Sequence, residues 1–311
     1  MTIVPDGDFP IISAEKGFAN IIVETPPVRG EGDCRLLELS AGTRVNIVPD
    51  EAVALVSGLS EEYLTARAAA FMASHPRSRL TIEPVGDALK VTAQGTPTHA
   101  STPEKGHSAL LDLAEFLAPE PFAASAPERA VRFVDQLLGQ DLHGERLGTY
   151  AHDSKMGHCT CTAGKVEATE SGSVRVWLNL RPVRGQTIDS VRKAIEGSVA
   201  ELAARTGGEY SVAAHDTCRE PLYVPEDSEL VRGLQRAYRD VTGEPATCES
   251  IGGTTFAKAF ENAVVFGPVA DGDPPLAHER DERVTIEALV RNAKLYGAAI
   301  WHLAGEQSGT G

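Results

Sequence analysis

The stretch VTAQGTPTHASTPEKGHSAL, residues 91–110, changes secondary structure within a single short span. Its start continues ALKVTAQG, which reads as the second strand of a hairpin begun by RLTIEP. Its end opens GHSALLDLAEFLA, whose apolar spacing is helical. Between the two, a loop of small and turn-forming residues presents His99. Strand, polar loop with a histidine, then helix is the unit from which α/β and α+β proteins are built.

The same alternation runs outward in both directions. Upstream, FANIIVET and CRLLELS read as strands, Asp50 as the N-cap of a helix over EAVALVSG, and Ser60 as the N-cap of EEYLTARAAAFMA. Downstream, PERAVRFVDQLLGQ reads as a helix. GHCTCT, a turn at AGK, VEAT, a turn at ESGS and VRVWLNLRP follow as strands. Thr187 opens a helix with Ile188, Val191, Ile195, Val199 and Leu202 on one face, and EYSVAAH closes the block as a strand. The proline-rich CREPLYVPEDS then marks a boundary. Beyond it come the helix SELVRGLQRAYRDVTG, the buried-strand signal AVVFGP and a long helix from Thr285 to Leu303. The expected class is α/β with an α+β portion.

The chain has 311 residues, 42% hydrophobic and 23% charged, in keeping with a globular protein of two ordinary domains. A net charge of −15 and the lack of a basic stripe argue against a nucleic-acid partner. No apolar run approaches the ~20 residues of a membrane span. Asp6 and Asp8 stand where a secretory leader would need a basic and then an apolar segment, so a cytoplasmic location is expected. Five cysteines without framework spacing fit reduced thiols.

Four segments carry candidate chemistry. His278, in PPLAHERDERV, follows a buried strand through a Gly/Asp/Pro loop, at the strand end where open α/β sheets hold their ligands. Asp6, in the proline-flanked PDGDFP, offers a carboxylate suited to zinc or manganese, although such a segment is also an ordinary turn. His99 is either a satisfied loop histidine or a group reaching toward a ligand. GGTTFAKAF could cradle an anion on backbone N–H groups, but it lacks the spacing of a nucleotide-binding loop. GHCTCT has neither paired Cys-x-x-Cys spacing nor a second pair, and is set aside as a metal site.

Six segments, in order along nearly the whole chain, resemble the zinc metallopeptidases of the M20 type, and PepV-like dipeptidases in particular. They are VPDGDFPIISAEKG, TRVNIVPDEAVA, VTAQGTPTHASTPEKGHSAL, LNLRP, IGGTTFAKAF and AHERDERV. The resemblance implies a zinc-aminopeptidase-like catalytic domain and a large ferredoxin-like lid. The expected division is 1–14 for a metal-loop remnant of the catalytic domain, 15–219 for the lid, and 220–311 for the end of the catalytic domain. It implies Asp6 and His278 as ligands of two zinc ions, with manganese or cobalt as alternatives. His99 would stabilise an oxyanion, Asn46 would support it, and Arg181 would hold a substrate carboxylate. Gly252, Gly253, Thr254 and Lys258 would line the substrate pocket. The implied reaction is hydrolysis of a dipeptide or a related N-acyl amino acid amide bond, with a small peptide as substrate.

The sequence departs from the family pattern in three places. Phe256 and Lys258 stand where the family usually carries Tyr and often Arg, and Lys supplies charge without a planar fork. The family's His-x-Asp motif, bridging Asp and Glu-Glu pair have no counterpart in this chain. His152-Asp153 are adjacent rather than spaced, and Glu61-Glu62 open a surface helix where acids suit the dipole. The expectation is therefore a C-terminal portion of such an enzyme, inactive alone, whose partner is a missing N-terminal half. The alternative is a non-catalytic lid retained for binding a peptide or a partner. If covering elements are missing, Leu230, Leu234, Leu289 and Ile300 should be exposed.

Overall fold

The computed structural model describes residues 1–274, 276 and 280–304. They form two units. One comprises 18–152 and 158–219, and the other 1–17, 153–157 and 220 onward.

The larger unit is built on an eight-stranded sheet in which every neighbouring pair is antiparallel. From edge to edge the strands are Ser211–Ala214, Ala19–Thr25, Val174–Arg181, Thr160–Ala168, Arg35–Ala41, Glu51–Ser57, Ala88–Gln94 and Arg79–Val85. Four helices accompany it: α1 (Glu61–Ser74), α2 (Ala109–Leu117), α3 (Ala126–Phe133) and α4 (Ile188–Thr206). The helix starts follow their sequence signals. Ser60, Ser108 and Ser125 accept N–H bonds into α1, α2 and α3, and Thr187 forms a reciprocal capping box with Ser190 on α4. α2 packs over the Glu51–Ser57 and Ala88–Gln94 strands and is apolar on nearly all sides. It buries Leu110, Leu113, Phe116 and Leu117, each contributing roughly 1.5–3 kcal/mol of transfer free energy.

Two local expectations are corrected here. Asp50 does not cap a helix, because residues Glu51–Ser57 form a strand. Ala52, Ala54 and Val56 are fully buried while Val53 and Leu55 are half-buried, a period of two that outweighs the capping signal. AGK is not a turn, because one strand runs through Thr160–Ala168 and its register shifts between Ala163 and Lys165. Gly164 makes this bulge feasible, since a Cβ there would lie 1.9 Å from the Val45 carbonyl oxygen.

The smaller unit has a mixed sheet ordered Thr2–Val4, Ala263–Val265, Ile11–Glu15, Leu222–Tyr223, with Cys248–Ile251 also pairing to Ile11–Glu15. Helices α5 (Glu229–Thr242) and α6 (Ile286–Ala304) complete it. α5 starts at the Ser228 cap and stops at Gly243, which has a φ of 79°. Its apolar stripe, with Leu230 and Leu234, packs among Phe9, Ile11, Phe266 and Leu295. The expected exposure of Leu230 and Leu234 is therefore incorrect. Leu289 and Ile300, on α6, are exposed.

Candidate active site

In the larger unit, the Thr96–Ser108 loop is tied down at both ends and in the middle. Thr96 and His107 exchange backbone hydrogen bonds of 2.8 and 2.9 Å, which closes its base. The Ala100 N–H donates to the Asn46 carbonyl at 2.9 Å, and Val48 N–H donates to the Thr98 carbonyl at 2.9 Å. Thr160 Oγ1 donates to the Ala100 carbonyl at 2.9 Å. Arg77 Nη2 donates to the Gly106 carbonyl at 2.6 Å, and His107 Nε2 sits 2.7 Å from the buried Asp112 carboxylate. These ties fix the backbone from which His99 projects. Asn46 contributes to them through its carbonyl, and its side chain is half-buried beside the loop.

The Ser101 N–H points at His99 Nδ1 at 3.2 Å. Ser101 Oγ also meets Nδ1, at 2.7 Å, and the Arg181 guanidinium, which can only donate, faces Nε2, so both nitrogens of the ring face donor groups. Burial, reinforced by the Arg181 charge, lowers the His99 pKa and favours the neutral form. Arg181 Nη2 lies 3.4 Å from His99 Nε2.

Arg181 ends a buried strand and is 2% exposed. Its Nε donates to Asn179 Oδ1 at 3.0 Å, Asn179 Nδ2 donates to Asn20 Oδ1 at 2.8 Å, and Asn20 Nδ2 donates to Thr217 Oγ1 at 3.3 Å. The guanidinium also lies over the Phe18 ring, 4.9 Å from its centroid. Burial brings the Arg181 pKa down to about 10, which leaves it charged at neutral pH. The amide relay through Asn179 and Asn20 was not singled out in the sequence. Its signal is a polar residue inside the apolar strand VRVWLNLRP.

In the smaller unit, the Phe256–Ala259 turn of 3-10 helix is capped by the chain's own carboxylates. Phe256 N–H donates to Asp6 Oδ2 at 2.9 Å, and Thr255 N–H donates to Glu15 Oε2 at 3.1 Å. The donors that an anion cradle would offer at these positions are thus occupied. Glu15 is fully buried, and sequence reasoning missed it. Lys258 turns inward, with its Nζ on the Lys16 carbonyl and 4.0 Å from Glu15, and its side chain is 4% exposed. Gly252 and Gly253 are half-buried, and Thr254 and Phe256 are exposed.

Asp6 is exposed, and its carboxylate is of the type that binds divalent ions. Among the described residues no group of three or more His, Cys, Asp or Glu side chains is placed to hold a metal ion. His278, the other ligand expected from the sequence, lies outside the described residues. The residues described therefore do not by themselves make up a metal site. Among them, no helix is long and apolar enough to cross a membrane.

The chain is 31% identical over 308 residues to YtjP of Bacillus subtilis (strain 168), a match covering 98% of this chain and 64% of that protein. It is 25% identical over 303 residues to the Beta-Ala-Xaa dipeptidase of Lactobacillus delbrueckii subsp. lactis, covering 97% of this chain and 62% of the relative. The chain thus spans less than two thirds of the length of these relatives. Among solved structures, the aminoacylhistidine dipeptidase of Vibrio alginolyticus aligns with a TM-score of 0.48 at 16% identity, over 96% of this chain and 64% of that one. The profile of Peptidase family M20/M25/M40 matches residues 15–302, and the chain belongs to that family.

Proposed function

We propose that this chain is the lid-bearing and C-terminal part of a metal-dependent dipeptidase that hydrolyses a dipeptide or a related N-acyl amino acid amide bond. The observation that carries this reading is the approach of the Arg181 guanidinium to the His99 imidazole, Nη2 to Nε2 at 3.4 Å, on a scaffold of buried hydrogen bonds. A buried cation beside an imidazole suits a negatively charged oxygen, which would take up the Arg181 N–H that now faces Nε2. In this reading Arg181 holds the C-terminal carboxylate of the substrate. His99 donates to the oxygen that gains charge as the carbonyl carbon becomes tetrahedral. Asn46 keeps the His99 loop in register through its carbonyl, and Gly252, Gly253 and Thr254 border the substrate. Lys258 acts indirectly, by neutralising Glu15 beneath that loop.

Asp6, together with His278, would hold zinc, or manganese or cobalt in its place. When bound, such an ion supplies a polarised water and a positive charge near the scissile carbonyl. The general base is proposed to lie on a further segment, an N-terminal half like that of the family.

The test is to assay dipeptides and N-acyl amino acids with added Zn²⁺, Mn²⁺ or Co²⁺. Residues 1–311 are compared with the polypeptide encoded when the reading frame is extended upstream. Turnover only by the longer polypeptide, lost with a chelator and reduced ~10²–10³-fold by His99→Ala, is the expected result. Turnover by residues 1–311 alone, abolished by His278→Ala, would place the base and all ligands within this chain. Peptide binding without turnover by either would favour a binding role for the lid.

A further inference from the structure

The larger unit holds a second concave place, a cavity of about 170 Å³. Among the described residues, neither His99 nor Arg181 lines it. Its walls come from the loop that presents His99, from the Thr160–Ala168 strand and from the turn after Leu138. Thr162, in the strand wall, is 7% exposed, and its Oγ1 has no hydrogen-bond partner among the described residues. A buried hydroxyl is nearly always satisfied, since an unpaired one forfeits the bond it made to water. An unpaired hydroxyl in a cavity wall therefore points to a molecule that fits the cavity and restores the bond.

The other walls indicate its chemistry. Arg77 gives one N–H, from Nη2, to the Gly106 carbonyl at 2.6 Å. A guanidinium carries five N–H groups in one plane, so others are left for a carboxylate. Asp141 is a fixed carboxylate, accepting from the backbone N–H groups of His143, Gly144 and Arg146 at 2.8, 3.0 and 2.9 Å. Glu104 adds a second carboxylate, and Leu111, Leu138 and Leu142 supply an apolar surface. One cation, two anions and an apolar wall match a molecule with a carboxylate, an ammonium and a short apolar side chain. A cavity of ~150 Å³ takes one benzene, so this molecule has roughly six to eight non-hydrogen atoms.

We propose that the cavity binds a small α-amino acid of the alanine or valine type. Its carboxylate meets Arg77, its ammonium meets Asp141 and Glu104, and its side chain lies on the leucines. The Thr162 hydroxyl bonds the polar end, donating to the carboxylate or accepting from the ammonium. Occupancy bears on His99 because the cavity wall and the histidine share one backbone. Thr102 N–H donates to the His99 carbonyl at 2.9 Å, Lys105 N–H to the Thr102 carbonyl at 3.1 Å, and Gly106 N–H to the Pro103 carbonyl at 3.0 Å. This run of turns joins His99 to the Gly106 carbonyl that Arg77 holds. A carboxylate that draws on Arg77 alters that hold, which couples the amino acid to the imidazole. The inference stands on the cavity and not on the peptidase reading. Under that reading an amino acid is a product, and its binding here would act back on the site that formed it.

The test is an NMR titration of residues 1–311 with L-valine, following the imidazole signals of His107, which lines the cavity, and of His99. A saturable shift of His107 is expected, with a His99 shift of the same midpoint. L-Valinamide lacks the carboxylate and isovalerate lacks the ammonium. Each should bind at least ~10-fold more weakly than L-valine, the scale of one charged hydrogen bond. Thr162→Val should weaken L-valine binding ~5-fold, the scale of a neutral hydrogen bond. It should not lower the unfolding temperature, since the hydroxyl it removes has no partner among the described residues. No saturable His107 shift, valinamide or isovalerate binding as tightly as valine, or an unchanged affinity in Thr162→Val would each overturn the site. A His107 shift with none at His99 would overturn the coupling. The readout needs no turnover, so binding by a polypeptide without peptidase activity would keep this inference and remove the proposed function.

Discussion

His99 Nε2 and Arg181 Nη2 lie 3.4 Å apart although their positions are 82 residues apart in the chain. Each is fixed by a different part of the sheet. The histidine is set by a loop tied to Asn46, Thr160 and Arg77, and the arginine by a buried strand and an amide relay. Neither residue can shift without disturbing hydrogen bonds in the interior. Their spacing is thus a property of the scaffold.

Arg181→Lys should separate charge from geometry. A lysine keeps the positive charge but cannot bond Asn179 and a carboxylate together in one plane. The catalytic efficiency of the active enzyme toward dipeptides with a free carboxylate is expected to fall roughly 10- to 100-fold, the scale of one charged hydrogen bond. The loss should lie mainly in KM. C-terminally amidated substrates should be far less affected, and equal losses on both would remove Arg181 from carboxylate recognition.

The larger unit should become less stable as pH falls. The His99 pKa is lowered, first by burial and then by the Arg181 charge, so the unfolded chain takes up a proton more readily than the folded one. The stability from keeping this ring neutral is present above the ordinary histidine value of ~6.5 and is lost as pH drops through the lower folded pKa. His99→Gln should flatten that part of the stability profile. Arg181→Met should raise the folded His99 pKa only in part, because burial is the larger cause. Titration of the imidazole by NMR reads this directly, and a folded pKa at or above the unfolded one would contradict it.

Glu15→Ala should destabilise the smaller unit strongly. It would leave the inward-turned Lys258 without its buried counter-charge and the Thr255 N–H without its acceptor. Removing one partner of a buried ion pair costs about 3–5 kcal/mol, measurable by denaturant unfolding. The double variant Glu15→Ala, Lys258→Met should recover a good part of this. A cost below about 1 kcal/mol for the single change would show that the pair is not buried in solution.

Gly164→Ala should disturb the His99 loop from a distance. Its Cβ would lie 1.9 Å from the Val45 carbonyl oxygen, so the 45–46 segment must move, and the Asn46 carbonyl holds Ala100. A loss on the order of 1–3 kcal/mol is expected, in line with overpacking against a backbone carbonyl. The His99 imidazole resonances should shift with it. Unchanged resonances would mean that the clasp does not transmit the displacement.

The sequence by itself determined the local elements whose signals are local. The Ser60 cap of α1 and the opening of α4 at Thr187 were legible, because capping involves residues within one turn. So was the identity of His99 and Arg181 as candidates, carried by motifs read in order along the chain. What only the tertiary structure decided depends on neighbours distant in sequence. The Glu51–Ser57 segment is a strand because it pairs on both sides, which outweighs the cap at Asp50. Lys258 faces inward because Glu15, remote in sequence, is buried beneath it. Asn179 is visible in the sequence only as a polar residue in an apolar strand, and its role becomes clear once Arg181 and Asn20 are seen to bond it on either side. α6 repeats apolar residues around most of its circumference, and the sequence pattern alone does not choose a buried face. Packing against the core selects Leu295 and Ala299, and leaves Ile300 and Trp301 facing outward.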